Sequence, residues 1–182
     1  GKYLYFLSST DYGLASGWLD MSSYNYPVNR NLYVAVLSKD APSPLEPRSD
    51  EEPVKSTDTS KPAAKPVVAS NNVKIDIEGL EQRILAVHIP ARDYTGLVAA
   101  PDGSIFYLEN IPNETGSVLF KYSFKDRKPT EFVRGVFSAT TSNDRKNLLY
   151  RSLTGWFIVG TAAAPRPGEG RLAVEGMRVY VD

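Results

Sequence analysis

The sequence lacks cysteine, has a single histidine and carries no excess charge of either sign. The absence of cysteine excludes disulfides, thiolate catalysis and cysteine-ligated metal. Its 21 basic and 21 acidic residues cancel, so the overall charge favours neither nucleic acid nor an anionic membrane surface as a partner. No apolar run approaches the roughly 20 residues that a membrane-spanning helix requires. We therefore expect a partner that is neither nucleic acid nor membrane.

Aromatic residues are plentiful: 11 tyrosines and seven phenylalanines stand in runs with valine and isoleucine. That composition is typical of β-strands, and short strand-like stretches recur about every 8 to 12 residues between polar turns. Residues 96–112 alternate apolar and polar side chains around a Pro101-Asp102-Gly103 turn. We predict an all-β chain, with strands that include 73–77, 129–136 and 137–144. Trp156 and Phe157 are predicted to fill the space between stacked blades.

Two stretches share a four-strand rhythm: GLVAAPDGSIFYLE…VLFKYSFKDRKPTEFVRGV and VFSATTSNDRKNLLYRSL…GWFIVGTA…GRLAVEGMRV. Units of about 40 residues with four antiparallel strands are typical of propeller blades, because one blade cannot bury both faces without neighbours. About three blades fit, fewer than the typical 4 to 8 of a closed ring. We predict a partial β-propeller that, as a fragment, rearranges into a compact sheet structure or self-associates, because open edges and uncovered faces are aggregation-prone.

Residues 41–72 differ in composition from the rest, with six of the 13 prolines and no aromatic residue. Such a stretch cannot bury enough apolar surface to offset the entropy of ordering, so we predict a disordered Pro-rich insertion. The insertion separates blade strands at 1–40 from the remaining blades at 73–182.

Two polar turns contain the first candidate binding residues. Arg127 and Lys128 lie in one turn, and Arg145 and Lys146 lie in another. Charged side chains are ordinary at hairpin tips, but at one mouth of a propeller they would attract peptide carboxylates. We interpret them as candidates for peptide gating or binding.

An aromatic loop supplies the second candidate. Trp18, Tyr24 and Tyr26 lie between residues 10 and 30, a stretch rich in turn formers. A loop of this size either forms a binding surface or packs over the end of a sheet. Both alternatives remain open from the sequence.

No catalytic constellation is evident in the sequence. His88 lies in the apolar stretch ILAVHIP, and no serine stands in a G-x-S-x-G motif. Asp50, Glu51 and Glu52 lie in the insertion and are interpreted as a solvated charge run rather than a metal site. We expect no catalytic residue, no metal and no cofactor in this chain.

Four longer stretches carry a resemblance: KYLYFLSSTDYG, NLYVAVLSKDAPSPLEPRSDEE, VKIDIEGLEQRILAVHIPARDYTGLVAAPDGSIFYLE and GRLAVEGMRVYVD. They are similar to the tricorn-type serine peptidases of the S41 class, in which a WD40-like β-propeller precedes a core segment, a PDZ domain and a catalytic domain. The resemblance implies that the chain is the C-terminal part of that propeller and that Asp182 lies at the junction to the core and catalytic domains.

The function implied by the resemblance is a non-catalytic propeller region that scaffolds a serine peptidase and restricts peptide access to an active site in a C-terminal domain. The implied partners are peptide substrates, other blades and the PDZ and catalytic domains of the same polypeptide, with a homo-oligomer also open. The resemblance leaves the compartment open between cytoplasm and bacterial periplasm. The alternatives are a stand-alone β-sheet binding module that uses the aromatic loop, and a purely structural extracellular β-protein.

Overall fold

The computed structural model describes residues 1–9, 28–46, 73–101, 103–174 and 176–177. Within these ranges the chain forms strands and one short 3-10 turn, Glu81–Arg83, and has no helix that could span a membrane. The strands, in chain order, are β1 (Tyr3–Ser8), β2 (Asn31–Val36), β3 (Ile84–Ala86), β4 (Tyr94–Ala99), β5 (Ser104–Asn110), β6 (Ser117–Ser123), β7 (Lys128–Thr141), β8 (Asn147–Ser152) and β9 (Gly155–Gly160).

The strands form two antiparallel sheets. The first has the order β1-β2-β3 and the second has the order β4-β5-β6-β7-β8-β9. Neighbours along the chain are also neighbours in each sheet, and in the second sheet short turns join them. The predicted all-β, antiparallel fold class is confirmed.

One long strand joins two parts of the second sheet. β7 pairs with β6 from Lys128 to Val136 and with β8 from Val136 to Thr141, on its two opposite edges. The sequence predicts two separate strands here, at 129–136 and 137–144, and that prediction is wrong. Gly135 has a φ of 71° beside the register shift, so the backbone bends there without ending the strand.

Two apolar cores lie on opposite faces of the same strands. In β5, Ile105 and Tyr107 belong to the first core and Phe106 belongs to the second, as the two-residue period of a strand requires. The first core lies between the first sheet and β4–β6, and the second lies between β5–β7 and β8–β9. The structure is therefore three layers of strands, with the middle layer covered on both faces.

Of the two rings predicted to lie between blades, Phe157 is buried and Trp156 is not, so the prediction is wrong for Trp156. Phe157 is 5% exposed and belongs to the second core, whereas Trp156 is 37% exposed. Neighbouring side chains of a strand point to opposite faces, so only one of the two rings can enter the core. The guanidinium of Arg151 lies 5.9 Å from the Trp156 ring instead.

The outer faces of the outer layers carry exposed apolar side chains. Leu4 and Ile84 flank the buried Ala35 in one cross-strand row on the first sheet, and Leu149 pairs with Ile158 on the second. Leu4 is 55% exposed and Ile158 is 45% exposed. Such faces are the physical basis for the predicted self-association, which stays a prediction.

The first residues of the predicted 41–72 insertion and the residues just after it are part of the fold. Leu45 is buried in the first core. Residues 73–77 were predicted as a strand but form none: Asp76 instead donates its backbone N–H to the carbonyl of Leu37, 2.9 Å away, and its carboxylate accepts from the N–H of Lys39 at 2.8 Å. Residues 47–72 lie outside the described residues, and their predicted disorder stays a prediction.

Candidate functional site

The two charged turns lie at the same end of the layers. The N–H of Phe124 donates to the carbonyl of Gly103, 2.9 Å away, which brings the β6–β7 turn against the β4–β5 turn. The hydroxyl of Thr141 donates to the carbonyl of Ala99 at 3.0 Å, which brings the β7–β8 turn to the same place. Both sets of predicted charged residues therefore flank the β4–β5 turn.

Arg127 contacts the first layer rather than only solvent. Its guanidinium donates to the carbonyl of Glu46, in the segment that also carries buried Leu45. Its Nε is buried without a hydrogen-bond partner, and so is the hydroxyl of Tyr122. Burial raises the pKa of Tyr122, and the nearby Arg127 charge opposes that shift. Arg127 thus ties two layers together, while Lys128 is exposed at the start of β7.

The β7–β8 turn holds its backbone rigidly and exposes its charges. Asp144 accepts from the hydroxyl of Ser142 at 2.5 Å and from the N–H of Lys146 at 3.1 Å, and these bonds lower the pKa of Asp144. Thr161 donates its hydroxyl to the carbonyl of Arg145 at 2.7 Å and its N–H to the carbonyl of Lys146 at 2.9 Å. The side chains of Arg145 and Lys146 are exposed. The bonds from Thr161 therefore hold the backbone from which these two cationic side chains extend.

The other candidate residues are those of the aromatic loop and His88. Trp18, Tyr24 and Tyr26 lie outside the described residues, so their role stays a prediction. His88 was interpreted as a residue inside an apolar strand, but it follows the end of β3 and its side chain is exposed. The described residues contain no group of three or more histidine, cysteine, aspartate or glutamate residues placed to hold a metal ion.

Sequence reasoning missed two adjoining clefts of about 460 and 440 Å³. They share Glu131 and Phe132 in the first half of β7, and residues 162–168 form their opposite side. Pro129 is the one sequence signal that could have pointed to them, because proline within a sheet is typical of an edge strand.

A buried carboxylate lies between the first and middle layers. Glu109 is 9% exposed, and its Oε1 lies 3.5 Å from the Nε of Arg92. Arg92 in turn exchanges two backbone hydrogen bonds, of 2.7 and 3.1 Å, with Arg30 at the start of β2. Burial raises the pKa of Glu109, and Arg92 opposes that shift; burial also raises the pKa of Tyr94 to about 12. The Glu109–Arg92 ion pair and the backbone bonds between Arg92 and Arg30 therefore link the first layer to the middle layer.

Glu109 predicts a pH dependence of stability. Its folded-state pKa lies above its ordinary 4.5, so the folded chain holds this proton more tightly than the unfolded chain. The stabilising contribution of Glu109 is therefore complete below pH 4.5 and is lost as pH rises through the folded-state pKa. In Glu109→Gln, which stays neutral, stability relative to wild type is expected to increase from below pH 4.5 to neutral pH. Urea unfolding of both proteins across that range measures the difference, and a relative stability that falls with rising pH contradicts the assignment.

Comparison with protein-family models and with curated proteins found no match. Comparison with solved structures found a match to the tricorn protease, whose crystal structure aligns with 87% of this chain at a TM-score of 0.57 and 21% sequence identity. The chain has a tricorn-related β-propeller fold. At this identity the likeness shows the fold alone.

The resemblance seen in the sequence is confirmed at the level of the fold. The chain spans 15% of the length of the tricorn protease chain that it matches. The S41 class, the position at the C-terminal end of a propeller and the number of blades stay predictions.

Proposed function

We propose that this chain is a non-catalytic β-propeller region of a tricorn-like serine peptidase, where it scaffolds the enzyme and restricts peptide access to an active site in a C-terminal domain. The observation that carries the proposal is the tricorn-related fold over 87% of the chain. Acyl transfer by a serine nucleophile would take place elsewhere in the polypeptide. This region would hold the other domains in place and would use its surface charges to control which peptides reach the active site.

The charged end of the layers supports a role in peptide access. Lys128, Arg145 and Lys146 are exposed there, and the backbone bonds around Thr161 hold the second turn in place. Cations held at one mouth of a protein raise the local concentration of anionic ligands and the rate at which they arrive. A peptide with a free carboxylate terminus is such a ligand. Arg127 contributes less to this role, because its guanidinium already donates to Glu46.

Removing two of these charges tests the proposal. In the full-length protein, Lys128→Gln with Lys146→Gln is expected to lower kcat/KM for long acidic peptides about three- to tenfold at low ionic strength, because steering of the substrate is lost. The loss should vanish at about 1 M salt, where the screening length falls to about 3 Å. Peptidase assays with long and short substrates measure both effects, and short substrates should be cleaved at the wild-type rate.

The charge-matched control is Arg151→Gln with Arg171→Gln, which removes two cations from β8 and from the segment that bridges β9. Equal losses in the control and the test variant would show a general charge effect and contradict gating at this end.

An antibody against the chain tests the peptidase assignment separately. A native protein of 20.1 kDa in cell extracts would contradict membership of a larger enzyme. That outcome would leave the binding module that uses the aromatic loop.

A further inference from the structure

The two clefts beside β7 form one groove, which we call the β7 groove. One cleft is lined by residues 130–132 of β7 and the other by residues 131–134, so both follow the same half of the strand. Residues 162–164 face the first cleft and residues 165–168 face the second. The groove therefore runs along a strand, with a second stretch of chain as its far wall.

Among the residues that the structure describes, the edge of β7 beside the groove has backbone hydrogen-bonding groups without a backbone partner. The N–H of Phe124 donates toward β5, so Ser123 and Lys121 of β6 direct their backbone groups toward β7. Ser123 pairs with Lys128 of β7, and Lys121 pairs with Thr130. Because backbone groups alternate in direction along a strand, the N–H and carbonyl groups of Pro129 and Glu131, where present, point away from β6.

No described strand covers this edge, because β8 pairs with β7 only from Val136 onward. Pro129 has no N–H, so the free groups here are the carbonyls of Pro129 and Glu131 and the N–H of Glu131. An open edge of this kind can accept one further strand.

The floor of the groove is aromatic and already ordered. Phe132 packs edge-to-face against Phe106, with ring centroids 4.9 Å apart, and Tyr150 stacks on Phe157 at the same distance. Phe132 lies in both clefts, and Tyr150 and Phe157 lie in the second. A strand laid along β7 would point every second side chain toward these rings.

The rim of the groove is basic. Four cationic and two anionic side chains line it: Lys121, Lys125, Arg134 and Arg166, with Asp126 and Glu131. Arg134 is ion-paired with Glu131 and also with Glu114, 2.7 Å away, so the net charge with Glu114 included is +1 (4 − 3). The ammonium of Lys121 donates to the carbonyls of Thr161, at 2.7 Å, and Ala162, at 3.3 Å. These bonds hold the far wall in place without neutralising the lysine charge. The rim therefore favours an anionic occupant.

We propose that the β7 groove binds an extended acidic peptide, which adds as a strand to the free edge of β7 at Glu131. Strand addition takes affinity from backbone hydrogen bonds and specificity from pockets for alternate side chains. The aromatic floor would receive the apolar side chains and the basic rim would receive the acidic ones. The inference does not rest on the peptidase assignment, because binding to this edge needs no active site.

Fluorescence anisotropy of a labelled, capped peptide of alternating glutamate and valine, titrated with the full-length protein, tests the proposal. Saturable binding is expected with a Kd on the order of 10 to 100 µM. N-methylation of alternate amides should weaken binding about tenfold or more, because it removes the donors that pair with β7. A peptide of alternating lysine and valine should bind about tenfold more weakly than the unmethylated acidic peptide.

Variants of the protein provide a second comparison. Lys125→Glu with Arg166→Glu should weaken binding of the acidic peptide about tenfold, while Lys2→Glu, an exposed lysine outside the groove, should leave the Kd unchanged. Circular dichroism confirms that each variant is folded. No saturable binding, equal binding of the N-methylated peptide, or equal loss with Lys2→Glu would each overturn the proposal.

Discussion

Phe106→Ala is expected to lower the free energy of unfolding by about 3 to 5 kcal/mol, the range for removing a large aromatic side chain from a core. Phe106 is fully buried in the second core, packs against Phe132 and lies 5.9 Å below the ammonium of Lys121. Its neighbours Ile105 and Tyr107 are held by the first core on the opposite face of β5. The middle layer therefore cannot move to fill the cavity without disturbing the other core, which places the cost high in that range.

Urea unfolding followed by far-ultraviolet circular dichroism measures this effect without depending on a fluorescent residue. The control is Trp156→Ala, which removes a larger ring from an outer face where it is 37% exposed. We expect a smaller cost of about 1 to 2 kcal/mol there, because the ring is only partly removed from water and its contact with Arg151 is at the surface. Equal costs at the two positions would contradict the three-layer arrangement.

Gly116→Ala is expected to cost about 2 to 5 kcal/mol, from two separate sources. Gly116 has a φ of 77°, which L-residues rarely adopt. A Cβ at this position would also lie 2.9 Å from the carbonyl carbon of Gly135 and 3.2 Å from its Cα. Both contacts are with backbone, which cannot rotate aside as a side chain can. Gly135 is the residue at which β7 bends, so relieving the clash requires moving the bend itself.

Gly103→Ala separates the two sources. Gly103 has nearly the same φ, 79°, but nothing lies within 4 Å of its added Cβ. This variant should therefore show the backbone strain alone, about 1 kcal/mol. The difference between the two alanine variants, measured by urea unfolding, is the cost of the clash at the bend. If Gly103→Ala proves as costly as Gly116→Ala, the close approach of Gly116 to Gly135 contributes nothing to stability.

The candidate site could be predicted only in part. The charges of Arg145 and Lys146 follow from a polar turn between two strands, and the structure exposes them as expected. The contact between Arg127 and Glu46 could not be foreseen, because it joins residues 81 positions apart. The β7 groove was hidden for the same reason: its wall at 162–168 is distant from β7 in sequence, and the free edge depends on where β8 begins to pair.

The sequence by itself determined the all-β class, the polar turns and most of the strands, because side-chain alternation and turn chemistry are local steric preferences. It left open which face of each strand meets which layer. Both Trp156 and Phe157 were therefore predicted to be buried, whereas only Phe157 is. It also divided β7 in two, since nothing local shows that a strand continues through Gly135 with a new partner. Only the tertiary structure decided these points, because burial and pairing depend on contacts between residues that are far apart in the chain.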